Sequence, residues 1–364
     1  METLVPLQYY SLTYFNIVLV IILILFFYSQ GTQLESKNTK IFLGGFGFVI
    51  AVFVLFYMGL RPISGVFIDM TMYAHTFEMF QNGDTNVTDL PGSDRGFYLF
   101  VQFCASVMTA KMFFFWCAAI YVVPLFIASV KWFKKYWFYA FVMLIASFSF
   151  WGYGVNGIRN GMATSIFILA LSFYERRIIM ILLVLLSVSI HKGMALPTLG
   201  LALTFVNNNT KNYIKLWLAA IPVSLILGNM FISLFTVLGF DDDRVGVYLS
   251  ETVVEDAGGF RWDFIIYSGV GVLSAWYYII KKQYQDQFYM RLVNVYIFAN
   301  AFWILIIRAS FSNRFAYLSW FLLGIIVIYP LLKVRLLPKQ HQKIGVILVV
   351  YFMFTYFLNV ILSP

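Results

Sequence analysis

The chain of 364 residues is 62% hydrophobic and only 11% charged, with a formal net charge of +9. A soluble domain carries about 25% charged residues, so this composition excludes an ordinary soluble protein. Apolar runs of roughly 20 residues, long enough to cross a bilayer, recur throughout. The sequence therefore predicts an all-α, polytopic integral membrane protein forming a single membrane domain over 1–364.

About twelve membrane spans are expected from these runs. They cover residues 12–28, 41–59, 111–130, 136–153, 158–174, 178–191, 194–207, 213–235, 263–280, 291–307, 315–332 and 344–362. The first run lacks a basic start and a small-residue cleavage site, so we expect a span rather than a removed signal peptide.

One more apolar segment, 97–110, decides the topology. A full crossing there would turn the basic loops that follow it outward, against the positive-inside rule. We therefore predict that 97–110 is re-entrant or interfacial. Both termini then lie outside. The cytoplasmic side holds 16 Lys and Arg against 3 Asp and Glu, and the outer side 8 against 13, with Lys111 at the boundary.

This placement makes the positive charge an orientation signal and excludes a nucleic-acid partner. Two predicted outer loops are long, 60–96 and 236–262, whereas the cytoplasmic loops are short. A large substrate site is therefore expected to open outward. Cys104 and Cys117 lie in apolar segments without metal-ligand spacing. The acidic run Asp241–Asp243 is not a metal site by itself, so no metal or cofactor is predicted.

Arg159 is the only charged residue between Lys135 and Glu175. It begins a predicted helix just after the outer turn 152–157. A charge at this depth is costly, so it is expected to face a wet cavity or a partner. Snorkelling to the outer headgroups is the alternative, and the nearby Asn156 and Asn160 argue against a lipid-facing surface.

Further polar residues lie at the same predicted face. The spans 178–191 and 194–207 are each about 21 Å long as helices, against a bilayer core of about 30 Å. His191, between them, is therefore expected in a sunken funnel, as a functional group or as a capped, hydrogen-bonded residue. Arg308 and Arg314 flank another outer turn. With Arg159 they would form a cradle for a diphosphate, and snorkelling is again the alternative. Asp69 is a candidate general base.

Five short motifs occur in a fixed order along the chain. They are Asp69 to Tyr73 (D-x-x-x-Y), D-R-G-F-Y at 94–98, I-R-N-G-M-A at 158–163, S-I-H-K-G-M-A-L at 189–196 and S-N-R-F-A-Y at 312–317. This order resembles the EpsG-like and Wzy-type polysaccharide polymerases over about 60–330. The sequence departs from that pattern at Asn160 (usually Gln), at Lys192-Gly193 and at Asp94-Arg95.

The resemblance implies a membrane glycosyltransferase at the periplasmic face of the bacterial cytoplasmic membrane, of GT-C-like architecture. It would join undecaprenyl-diphosphate-linked oligosaccharides into O-antigen, capsule or exopolysaccharide, with membrane lipid and a chain-length regulator as further partners. His191 and Asp69 are then the catalytic candidates, and Arg159 and Arg314 are the expected diphosphate ligands. Arg308 is added to the diphosphate ligands from the predicted topology alone. The expected substrate contacts are Asp94, Arg95, Asn160 and Tyr73.

Three other classes remain as alternatives. A flippase for lipid-linked sugars would predict internal repeats and broken helices at mid-membrane, and no repeat is found. An O-antigen ligase would use the same chemistry, so the sequence separates it poorly from a polymerase. A membrane acyltransferase would need thioester access, usually from the cytoplasm, and the short basic loops there do not indicate it.

Overall fold

The computed structural model describes residues 5–90, 94–237, 260–309 and 312–362, which form helices without any strand. Eight helical segments within this part of the chain are long and apolar enough to cross a membrane. The predicted all-α, polytopic membrane fold is therefore confirmed. Three shorter apolar helices lie at Ile158–Ser172, Arg177–Ile190 and Lys192–Val206. The total of twelve crossings stays a prediction.

The chain divides into two compact units, which are described separately. The first comprises the described residues of 1–90, 94–191 and 331–364. Its helices are α1 (Tyr10–Gly31), α2 (Lys37–Gly59), α3 (Met70–Asn82), α4 (Arg95–Val107), α5 (Ala110–Phe133), α6 (Trp137–Ile145), α7 (Phe148–Val155), α8 (Ile158–Ser172) and α9 (Arg177–Ile190), followed by the end of α15 (Leu323–Lys333) and by α16 (Gln340–Tyr356).

Helix α8 lies inside the first unit, packed on α5 and α9. Most of its residues are buried. A helix of 15 residues rises only about 22 Å, less than the bilayer core. Its surroundings are therefore largely protein, which allows it to carry polar residues at its N-terminal end.

The predicted span 136–153 is not one continuous helix, because it breaks between α6 and α7 at Ala146 and Ser147. Backbone carbonyls freed by a break inside a membrane need new donors. The Tyr14 hydroxyl donates to the Ile145 carbonyl at 2.8 Å, and the Thr355 hydroxyl donates to the Ala146 carbonyl at 3.0 Å. Side chains of α1 and α16 thus stabilise the break.

Helix α4 corresponds to the predicted re-entrant segment 97–110. It has 13 residues, about 20 Å of helix, and packs on α3 and α9. Its re-entrant or interfacial placement stays a prediction. The predicted outer loop 60–96 contains a short 3-10 turn, Gly65–Phe67, and α3. Most of the other long loop, 236–262, lies outside the described residues, as does the run Asp241–Asp243.

The second unit comprises the described residues of 192–330. Its helices are α10 (Ala195–Val206), α11 (Thr210–Val237), α12 (Trp262–Ala275), α13 (Gln287–Leu305), α14 (Asn313–Trp320) and most of α15. Helix α13 is at its centre and packs on α10, α11, α12 and α14.

A buried asparagine on α13 connects the helices of the second unit. Asn300 accepts a hydrogen bond from the Trp217 indole of α11 at 2.7 Å. Its amide donates to Ser268 of α12 at 3.0 Å and to Ser319 of α14 at 2.9 Å. The bonds of this side chain are all made to protein, as an apolar interior requires.

We expect Asn300→Leu to lower the stability of the protein by about 1–2 kcal/mol, because the Trp217 indole loses its partner and Ser268 and Ser319 each lose one hydrogen bond. Thermal unfolding in detergent measures this loss. The matched control is Asn294→Leu on the same helix, where the amide oxygen has no partner in the described structure and only one side-chain hydrogen bond is lost. Equal losses in the two variants would contradict the interpretation.

The predicted topology can be tested in cells. With Cys104 and Cys117, both buried, replaced by alanine, we expect Asp84→Cys to react with a membrane-impermeant maleimide from outside. Lys135→Cys should react only after the membrane is permeabilised. Both positions are exposed in the structure, so a reversed pattern would reject the positive-inside assignment rather than reflect burial.

Candidate active site around Asp94

Asp94 joins three helix ends of the first unit. Its Oδ2 atom accepts a hydrogen bond from Nη1 of Arg159 at 3.0 Å and lies 3.2 Å from Nδ1 of His191. The Asp94 side chain is 5% exposed, and those of Arg159 and His191 are 18% and 17% exposed. The carboxylate is therefore buried, while its two partners remain within reach of solvent or substrate.

Each of the three residues stands where a helix starts or stops. Asp94 precedes α4 and its backbone carbonyl accepts from the N–H groups of Phe97 and Tyr98. Arg159 is the second residue of α8, and His191 follows the last residue of α9 in extended conformation. Backbone geometry at these ends, rather than side-chain flexibility, brings the groups together.

The contact with Asp94 explains a lone arginine in an apolar segment. A cation at a helix N-terminus opposes the positive end of the helix dipole, and a buried carboxylate without a counter-charge is strongly unfavourable. Pairing Arg159 with Asp94 offsets both costs. The guanidinium thus has a protein partner, in place of the lipid headgroups of a snorkelling side chain.

Tyr73 of α3 also contacts Arg159. Its hydroxyl accepts from Nε of Arg159 at 3.2 Å, and the guanidinium lies 5.9 Å from the ring centres of both Tyr73 and Phe97. Burial raises the pKa of Tyr73, with the nearby Arg159 acting in the opposite direction. The phenol therefore stays neutral at physiological pH.

The position of Asp94 fixes the tautomer of His191. A carboxylate paired with arginine only accepts hydrogen bonds, so Nδ1 of the imidazole carries the proton that points to it. In the neutral ring, Nε2 then holds the lone pair and is able to take a proton from a substrate. This carboxylate–imidazole arrangement orients a general base.

We call Asp94, Arg159, His191 and Tyr73 the Asp94 cluster. Asp69 lies near this cluster, but its side chain makes no described hydrogen bond to it. Its backbone N–H donates to Oδ1 of Asn156 at 2.9 Å, which ties the start of α3 to the turn before α8. Its carboxylate has no hydrogen bond among those described, but it is near enough to Tyr73 to contribute to the raised pKa of that phenol.

The remaining predicted residues are Arg95, Asn160, Arg308 and Arg314. Arg95 is exposed, and the Asn160 amide makes no hydrogen bond with the cluster among the described contacts. Arg308 and Arg314 belong to the second unit, where the side chain of Arg308 approaches Gly228. The predicted cradle of three arginines therefore stays a prediction.

Arg61 also supports the site, although no sequence pattern singled it out. Its guanidinium is buried and donates to the carbonyls of Met58 at 2.7 Å and Val155 at 3.1 Å. Burial lowers the pKa of Arg61 to about 10, so the side chain is still charged at neutral pH. Arg61 holds the end of α7 directly before Asn156. In the sequence, nothing distinguishes Arg61 from any other arginine that follows a membrane span.

Gly96 is the second residue that was overlooked. A Cβ atom there would lie 2.7 Å from the backbone oxygen and 2.8 Å from the carbonyl carbon of Ser189. Only glycine therefore allows α4 to approach α9 this closely. The contact lies near the site, because Gly96 is two residues from Asp94 and Ser189 is two residues from His191. The glycine was visible within the motif at 94–98, but its partner was not.

The described residues contain no group of three or more His, Cys, Asp or Glu side chains placed to hold a metal ion. The chemistry derived for this site uses the imidazole, carboxylate, phenol and guanidinium groups described above.

Residues 46–364 match the model of the EpsG family. The chain belongs to the EpsG family. This family consists of Wzy-like polysaccharide polymerases and transferases, as the resemblance in the sequence predicted. The matched region contains all residues of the Asp94 cluster. No curated protein and no solved structure matches the chain significantly.

We expect Gly96→Ala in this EpsG-family protein to cost about 1–3 kcal/mol, because the new methyl group meets backbone atoms of α9. Thermal unfolding in detergent measures the cost. Gly152→Ala is the matched control, since nothing lies within 4 Å of the position of its Cβ atom. If both variants unfold at the same temperature, the close approach of α4 and α9 is wrong.

Proposed function

We propose that this chain polymerises polyprenyl-diphosphate-linked oligosaccharide repeat units at the outer face of the cytoplasmic membrane. The observation that carries the proposal is the buried Asp94 carboxylate, shared by His191 and Arg159, in a member of a polysaccharide polymerase family. The family supplies the reaction class, and the cluster supplies a base and a cation of the kind that glycosyl transfer needs.

The reaction joins an acceptor hydroxyl to the anomeric carbon of the growing chain. As the new C–O bond forms, the bond from that carbon to the diphosphate oxygen breaks, and the lipid diphosphate leaves with the electron pair. The hydroxyl proton passes to Nε2 of His191. Asp94 then stabilises the imidazolium through Nδ1, as a charge-assisted hydrogen bond does.

His191 is the better of the two predicted bases. Its ring is oriented by a carboxylate at 3.2 Å, whereas the Asp69 carboxylate has no described hydrogen bond to position it. General-base catalysis depends on geometry first. We therefore assign the proton transfer to His191 and a supporting, sugar-binding role to Asp69.

The leaving diphosphate needs positive charge. Arg159 is partly accessible, but Asp94 already balances its charge, so a second cation is required for a dianionic group. Arg308 and Arg314 remain the proposed additional ligands, since guanidinium groups bind phosphate oxygens in a bidentate manner. Their position relative to Arg159 in the substrate complex is part of the proposal.

The direct test is a gel of surface polysaccharide from a deletion strain that expresses each variant. We expect wild type to restore a ladder, and His191→Ala or Arg159→Ala to leave a single repeat. Loss of the general base His191 slows transfer about 10²–10⁴-fold, and loss of Arg159 removes a proposed diphosphate ligand. Asp69→Asn should retain shorter ladders. Each variant is first checked for normal amounts in the membrane.

Two exposed residues provide matched controls. His75→Ala and Arg176→Ala remove the same side-chain types from exposed positions and should leave the ladder unchanged. A full ladder in both His191→Ala and Arg159→Ala would reject the proposed site. A deletion strain without any repeat at the outer face would indicate a flippase. Long chains that stay on the lipid carrier would indicate a ligase.

A further inference from the structure

A polar cavity lies in the first unit, at the other end from Asp94. It has a volume of about 480 Å³ and is lined by 32–35, Tyr136, 331–335 and 339–342. We call it the 333–339 pocket. Helix α1 begins at Tyr10, which stacks on Tyr57 near Arg61, and it ends beside Thr32 in the pocket wall. Its 22 residues span about 33 Å, so the pocket is separate from the Asp94 cluster.

The pocket carries an excess of positive charge. Lys333, Arg335 and Lys339 line it, and Glu35 is its one acidic residue. The three ion pairs of the described structure are elsewhere and include neither Arg335 nor Lys339. Like charges on one short loop repel each other, and an anion bound between them would relieve that repulsion.

Buried polar side chains hold the pocket loop in place. The Gln340 amide donates to the carbonyl of Val334 at 2.9 Å, and its oxygen accepts from the N–H groups of Leu336 and Leu337 at 2.8 and 3.1 Å. Three residues of the loop 334–339, namely Val334, Leu336 and Leu337, are thus tied to one side chain that is only 8% exposed. These hydrogen bonds hold the loop backbone in place.

His341 fixes the opposite wall. Its Nε2 lies 2.6 Å from the Tyr139 hydroxyl, and its Nδ1 lies 2.8 Å from the carbonyl of Thr32. This ring joins α16 to α6 and to the end of α1. Both ring nitrogens of His341 are therefore occupied by protein, whereas Arg335 and Lys339 are exposed.

The position of the pocket along the helices suggests the source of the anion. Lys333 is the last residue of one candidate membrane span, and Gln340 is the first of the next. Val334, between the cations, is 42% exposed. Charged groups directly at span ends, beside exposed apolar surface, lie at the depth of lipid headgroups.

We propose that the 333–339 pocket binds a phosphate group at the face that the positive-inside rule places in the cytoplasm, and that an anionic phospholipid headgroup supplies it. Arg335 binds two phosphate oxygens with its planar fork, and Lys333 and Lys339 complete the charge. The bound headgroup then joins the end of α1 to the start of α16. This site is independent of the proposed glycosyl transfer.

The experiment uses full-length protein in a neutral detergent, with phosphatidylglycerol, phosphatidylcholine and inorganic pyrophosphate as probes. We expect phosphatidylglycerol to raise the unfolding temperature in a saturable way and phosphatidylcholine to have no effect. In Arg335→Gln/Lys339→Gln, the affinity for phosphatidylglycerol should fall about tenfold or more, since each lost cation weakens anionic-lipid binding.

The matched control is Lys281→Gln/Lys282→Gln, which removes two exposed charges from the same predicted side of the membrane. It should bind phosphatidylglycerol like wild type. Equal loss in both double variants, or binding that never saturates, would overturn the proposal, because phosphatidylglycerol would then be attracted by positive charge in general and not by this pocket. Pyrophosphate that displaces phosphatidylglycerol and stabilises equally well would support the phosphate site but assign it to a soluble ligand.

Discussion

A buried carboxylate in an apolar protein needs a counter-charge, and much of the first unit is arranged to supply it to Asp94. The ends of three helices meet at this side chain, which accepts hydrogen bonds from Arg159 and His191. Because removing one partner of a buried pair leaves an uncompensated charge, the packing of α4, α8 and α9 and the chemistry of the site depend on the same contact.

The surrounding structure shows how that contact is held. Gly96 lets α4 reach the backbone of α9, and Arg61 fixes the end of α7 through two carbonyl groups. The Asn156 amide then holds the start of α3, where Asp69 lies. Hydrogen bonds between helix ends thus support the segments that lead to the Asp94 site.

The two ends of the first unit use charge in different ways. At the Asp94 cluster a cation, an anion and an imidazole balance each other inside the protein. At the 333–339 pocket the loop backbone is held by Gln340, and the cations project from it. A balanced buried cluster suits proton transfer, whereas an unbalanced exposed one suits an anion at the membrane surface.

The sequence by itself determined the membrane class, the all-helical character and the family, because apolar length and motif order are local properties of the chain. It also singled out Arg159, His191, Asp94 and Tyr73. Only the tertiary structure decided that these four form one cluster, that the span 136–153 is broken, and that Gly96 and Arg61 support the site. Such facts depend on contacts between residues far apart in the chain, 97 positions for Asp94 and His191 and 209 for Ala146 and Thr355, which no local pattern encodes.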